Sequence, residues 1–140
     1  MNLAILKELN DTSCIEIHFE ILHHYPEENE GSRIFITFYR EKAVEKTIDM
    51  GWTNQTLFSF INLMMNFPLD KKNGDFHHYE KHLELHWTYE YDTDLYLLTF
   101  EDQGKLFLLK SSQNELTKFG NALKNAVESA PSSNSYESNK

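Results

Sequence analysis

Cysteine occurs once among the 140 residues, at Cys14. A single thiol permits no intramolecular disulfide and no Cys-based zinc motif, which suits a reducing compartment. Three prolines and five glycines exclude collagen-like or low-complexity character. The glycines stand alone, so the sequence holds no glycine-rich phosphate loop. Positive charge is scarce. Thirteen Lys and Arg against twenty-two Asp and Glu leave a formal net charge of −9. That balance argues against nucleic-acid binding as the main activity, because a phosphate backbone needs a cationic face. Long apolar runs are missing as well. The longest, from Leu57 to Phe67, is interrupted by Ser59, Asn62 and Asn66 and falls well short of a membrane crossing. The first eight residues, Met1 to Glu8, lack the basic stretch and cleavage site of a secretory signal, so the expected compartment is the cytoplasm.

What is present is a hydrophobic content of 40% and an aromatic content of 14%. This supports one ordinary core, and a chain of this length is expected to bury about two-thirds of its unfolded surface. Residues 1–130 read as a single α+β domain and 131–140 as a polar, mobile tail. No internal sequence repeat is visible. From Ser13 to Leu22, Ile15, Ile17, Phe19 and Ile21 alternate with Glu16, His18 and Glu20, the period of a strand with one wet face. Ser32–Tyr39 is apolar on both faces and reads as a central strand; Ala43–Met50 alternates less cleanly because Lys46 sits on the apolar side. At Thr53 or Asn54, both good N-caps, the period changes to that of a helix running to Asn66 and stopped by Pro68. Residues 70–75 read as a charged loop.

Period two returns from His82 to Tyr91 and sets Leu85, Trp87, Tyr89 and Tyr91 against His82, Glu84, His86 and Glu90. A short turn, Asp92-Thr93-Asp94, leads to strands Leu95–Phe100 and Lys105–Lys110, joined by a hairpin loop with Gly104 in a left-handed position. Ser112-Gln113-Asn114-Glu115 matches a capping box, and Leu116, Phe119, Leu123 and Val127 form one helical stripe. The element order is therefore βββαβββα. It predicts a mostly antiparallel sheet of about six strands with two helices packed on one face. The expected core holds Ile15, Ile17, Phe19, Ile36, Leu57, Ile61, Met64, Leu85, Trp87, Leu116, Phe119 and Leu123.

Seven histidines raise the question of a metal. His82 and His86 share a strand face but stand about 13 Å apart, too far to share an ion. His86 could join Glu84, or His18 and Glu16 if the two wet-faced strands are neighbours. No helical H-E-x-x-H site exists, and polar surface histidines with no resident metal or cofactor are expected. No catalytic constellation appears either. Cys14 reads as a small hydrophobe entering a strand, Ser112 is taken by a helix cap, and Asp92 and Asp94 suit a turn. The chain is expected not to be an enzyme. The remaining candidate surface is acidic and aromatic: Glu84, Glu90, Asp92 and Asp94, with Tyr96 as an anchor for a basic partner. The hairpin strands are apolar on both faces, so their second face is either covered or an exposed patch, and a dimer is compatible with it.

Residues 53–129 carry a resemblance. A helix ending in Asn66-Phe67-Pro68 leads to the strand Leu83-Glu84-Leu85-His86-Trp87-Thr88-Tyr89-Glu90-Tyr91. A hairpin follows, then a closing helix entered by Ser111-Ser112 and continued as Glu115-Leu116-Thr117-Lys118-Phe119-Gly120-Asn121-Ala122-Leu123. This layout resembles the small immunity proteins that bacteria encode beside polymorphic or contact-dependent toxins. The resemblance covers just over half the chain and rests on layout, without an invariant motif. It implies a cytoplasmic α+β domain that binds and blocks one cognate toxin, often a basic nuclease, without catalytic residues of its own. The alternative is a small ligand- or metal-binding domain using the His/Glu face of the sheet.

Overall fold

A computed structural model describes residues 2–9, 14–25, 31–77 and 83–131. Among them the chain forms β1 (Leu3–Lys7), β2 (Ile15–His24), β3 (Gly31–Arg40), β4 (Ala43–Thr53), α1 (Asn54–Met65), β5 (Gly74–His77), β6 (Glu84–Glu90), β7 (Leu95–Asp102), β8 (Lys105–Ser111) and α2 (Gln113–Ser129). The fold is α+β, with antiparallel strands and two helices. The single six-stranded sheet expected from the sequence is instead two four-stranded sheets, ordered β1-β2-β3-β4 and β5-β6-β7-β8. Two short strands account for the difference. In β1, Leu3-Ala4-Ile5-Leu6 is apolar throughout and shows no alternation; β5, Gly74-Asp75-Phe76-His77, has one large apolar residue in a segment that reads as a polar loop. The tail beyond Pro131 lies outside the described residues.

Four strands and a helix thus occur twice, a repetition that the sequence does not display. The last hairpin of each sheet closes through a two-residue turn with both φ angles positive: Glu41 and Lys42 (53° and 69°) in the first, Gln103 and Gly104 (50° and 85°) in the second. That twist matches the right-handed twist of the flanking strands. Each helix then starts on a hydroxyl cap. Thr53 Oγ1 accepts from the Thr56 amide at 3.3 Å, and Ser112 Oγ accepts from the Glu115 amide at 3.1 Å. The Glu115 carboxylate turns to Lys118 Nζ at 3.5 Å, so Ser112 makes its half of the capping box.

Both helices lie on the inner face of the first sheet, α1 against β3 and β4 and α2 along β1 and β2. Phe19 stands between them, its ring 5.7 Å from Phe60 and 5.3 Å from Phe119. The helices touch closely at Gly120. A Cβ there would come within 2.5 Å of Met65 N and 2.8 Å of the Met64 carbonyl carbon, so only glycine permits this approach. The second sheet closes the core. Phe67 packs on Trp87 and Tyr96 at 5.2 and 4.9 Å, and Phe38 of β3 stacks on Phe107 of β8 at 4.2 Å.

All twelve residues expected in the core are buried. Tyr91 is not, at 77% exposure, because β6 ends at Glu90 and Tyr91 already belongs to the turn. Cys14 is half-buried in a left-handed conformation ahead of β2, so it is not the core hydrophobe its sequence position suggests. Lys46 does point inward, opposite Phe38, where its Nζ meets Asp102 Oδ2 of the second sheet at 3.2 Å.

Candidate functional site

The outer face of the second sheet gathers the chemistry-bearing side chains. Alternation along β6 turns Leu85 and Trp87 inward and leaves Glu84 and His86 outside. Register supplies their neighbours: His86 faces Asp75 across β5 and Thr99 across β7, and Glu84 faces His77 and Glu101. The result is a patch of two histidines and three carboxylates on three adjacent strands. His86 Nδ1 donates to Asp75 Oδ1 at 2.9 Å, which requires the proton on Nδ1, since a carboxylate can only accept. His77 lies 3.4 Å from Glu84 Oε1 and 3.7 Å from Asp75 Oδ2, with its ring 5.8 Å from that of His86. The hydrogen bond from His86 is the main cause that holds the Asp75 carboxyl below the usual range, and a positive charge on either imidazole adds to it. Donor atoms of Glu84, His86 and Glu101 lie within 4.8 Å of one another.

This grouping differs from the one the sequence suggests. His18 and Glu16 form a pair of their own at 3.0 Å on the first sheet, so β2 and β6 are not neighbours and His86 cannot share an ion with them. Asp75 and His77 do not stand out in the sequence, because residues 70–75 read as a charged loop and the four residues of β5 are too few to show a period. His82 lies outside the described residues.

The acidic edge is divided. Glu84 and Glu90 stand six residues apart on one strand, about 20 Å. At the far end Glu90 pairs with Lys110 Nζ at 3.1 Å, and Asp92 and Asp94 are exposed in the turn. Asp94 has a structural part there. Its amide donates to the Glu90 carbonyl at 2.9 Å, and its carboxylate accepts from the Tyr89 hydroxyl. Tyr96 is 5% exposed and wedged between Phe67 and Tyr89, which removes it as a surface anchor. The exposed aromatic at this end is Tyr91, whose ring lies 5.2 Å from Lys72 Nζ.

The hydrogen bond to Asp94, with burial adding to it, pushes the Tyr89 hydroxyl up to about 12. A raised folded-state value means that the contribution to stability is complete below the unfolded tyrosine value, near 10. It is lost as pH climbs from there through the folded value. Burial, with the Asp94 charge adding to it, raises Tyr96 as well, so ultraviolet titration should find Tyr89 and Tyr96 ionising after the exposed tyrosines. Asp94→Ala should return Tyr89 towards 10, and an unchanged titration curve in that variant would refute the assignment.

The other half of the outer face is apolar. Leu106 and Leu108 of β8 are 47% and 44% exposed, and Leu97 of β7 lies beside Lys110 in the same layer. The apolar second face inferred for this hairpin is thus open, bordered by Glu84 and Glu101 on one side. Elsewhere a groove of about 540 Å³ runs between the helices, with Phe58, Ile61 and Met65 on one wall and Lys124, Val127 and Glu128 on the other. His24 sits at its end, Nδ1 2.7 Å from Ser32 Oγ, with partial burial lowering its affinity for a proton. Among the described residues no helix is long and apolar enough to cross a membrane. No protein-family model matches the chain, and no curated protein matches it.

Proposed function

We propose that this chain is an immunity-type binding protein that neutralises a cognate basic toxin in the bacterial cytoplasm by stoichiometric occlusion. The observation that carries the reading is the open outer face of the second sheet. Leu106 and Leu108 lie uncovered, with Glu101 and then Glu84 in the row beside Leu106, the arrangement of an interface with an apolar centre and a charged rim. The net charge of −9 would steer a cationic partner towards that face and raise the association rate at low salt. The chain would act by covering the toxin's working surface and would turn over no substrate. Glu84 and Glu101 border the leucines, while Glu90, Asp92 and Asp94 extend the acidic surface to the far turn, with Tyr91 in the anchoring place first given to Tyr96.

The test combines capture with protection. Wild type, a Glu84→Lys/Glu90→Lys/Asp92→Lys/Asp94→Lys variant and a Leu106→Ser/Leu108→Ser variant are used as bait in the native host, with circular dichroism as the folding control. The expected result is one basic protein retained in stoichiometric amount by wild type, toxic when expressed alone and harmless when coexpressed with this chain. The lysine variant should slow association by about tenfold or more at low salt. The leucine variant should shorten the lifetime of the complex instead, since rim charges govern encounter and buried apolar contacts govern dissociation. Folded variants that both protect like wild type would exclude this face as the interface.

A further inference from the structure

We propose that Glu84, His86 and Glu101 bind one divalent transition-metal ion of the zinc class on the outer face of the second sheet, with Asp75 orienting the His86 ring. The reading is independent of the toxin partner. It rests first on convergence: one histidine and two carboxylates from two paired strands already present donor atoms within 4.8 Å of one another. Bond lengths of about 2 Å place the ligands of a tetrahedral ion some 3–3.5 Å apart. Side-chain rotation alone can close that difference, because the sheet fixes the backbone beneath.

The second support is the state of His86. Asp75 accepts from Nδ1 at 2.9 Å, so in the neutral ring the proton sits on that nitrogen and the lone pair on Nε2. A carboxylate holding the far nitrogen of a ligating histidine is the usual way in which proteins set the tautomer and raise ligand basicity. Asp75 comes from β5, the strand on the opposite side of β6 from Glu101, so ligands and support are built into three strands.

Charge provides the third. Glu84 and Glu101 are directly opposed across β6 and β7, an arrangement of like charges that destabilises a strand pair. Among the described residues no lysine or arginine forms an ion pair with either. A doubly charged ion would remove that repulsion. With three protein ligands, the fourth position of a tetrahedral ion would be left to water. Mixed imidazole and carboxylate donors suit zinc and its neighbours better than magnesium or calcium, which prefer oxygen alone.

The test is calorimetric titration of the chelator-treated full chain with zinc chloride. The expected result is one ion per chain with a dissociation constant in the micromolar range or tighter. His86→Ala and Glu84→Gln/Glu101→Gln should abolish the binding isotherm while circular dichroism stays unchanged. Asp75→Asn, which keeps the ligands but loses the orienting carboxylate, should weaken binding by about 10–100-fold. His18→Ala, which removes the comparable histidine of the first sheet, should bind like wild type. The absence of any isotherm for the folded wild type, or equal weakening by His18→Ala and His86→Ala, would overturn the site.

Discussion

Truncating Trp87 to alanine is expected to lower the stability of this fold by about 3–5 kcal/mol, the range for an aromatic side chain removed from a core. Trp87 is 4% exposed, and its ring joins three pieces of chain. One face meets Phe67 at 5.2 Å. Nε1 donates to the Lys71 carbonyl at 2.9 Å, tying down the segment between α1 and β5. Gly74 lies so close over the ring that a Cβ at that position would come within 2.5 Å of it. The four-residue β5 pairs with β6 alone, and this contact holds it down together with Phe76, whose ring packs on Trp52 and Phe60 at 5.8 and 5.0 Å. Trp87→Phe keeps an aromatic body but loses the indole donor and should cost much less, about 1–2 kcal/mol. Urea unfolding of the two variants checks the order. A midpoint for Trp87→Ala indistinguishable from wild type would place the ring outside the core.

Legibility of the fold in the sequence followed the strength of its periodicities. Where one face of an element is buried and the other wet, as in β2 and β6, alternation placed the core side chains on the correct side. Both helices began where a hydroxyl residue precedes an apolar stripe, at Thr53 and Ser112. Failure came where no face is clearly wet or the element is short. β1 lies at a sheet edge with four apolar residues in succession, and β5 owes its extended form to pairing with β6 and to the Trp87 ring. Tertiary contacts decide such segments, and local composition does not register them. The split into two sheets has the same origin, since nothing along the chain states that β1 and β5 exist to complete four strands each. Repetition at the level of elements, with two unrelated sequences filling the same series, was hidden for that reason as well.

The site was legible only in part. The wet face of β6 was visible as Glu84, His86 and Glu90, but its neighbours depend on register. Asp75 and His77 arrive from a strand that the sequence concealed, and Glu101 joins Glu84 only through the pairing of β7 with β6. Period two sets Tyr91 on the inner side with Trp87, and the acidic surroundings of Tyr96 suggest a surface anchor. The turn at residues 91–94 reverses both, because leaving the strand frees Tyr91 while Tyr96 falls opposite Tyr89 on the inner face. One warning in the sequence had a structural meaning. Lys46 interrupted the apolar side of β4 because it has a partner there, on the other sheet.

That partner sets the second large effect. Lys46→Met is expected to cost about 2–4 kcal/mol, because it leaves a buried carboxylate with no counter-charge. Asp102 is 5% exposed; its Oδ2 lies 3.2 Å from Lys46 Nζ, and its Oδ1 has no hydrogen-bond partner. The reverse change should be milder. With Asp102→Leu the ammonium survives on a stem whose side chain keeps a quarter of its exposure and can reach water, at a cost of about 1–2 kcal/mol. The double variant removes both charges at once, and the gap beside the Phe38–Phe107 stack is filled by carbon. Exchange of a buried ion pair for well-packed apolar groups is often neutral or stabilising, so the double variant should recover most of the loss. The Glu45 carboxylate nearby, shared by Arg40 and Lys105 at 3.4 and 3.1 Å, joins the same two hairpins at the surface, where salt screens it. Chemical denaturation of wild type, both single variants and the double variant closes a thermodynamic cycle whose coupling term belongs to the pair. Additive losses, or a Lys46→Met protein as stable as wild type, would mean that the two sheets are held by the aromatic stack without help from the ion pair.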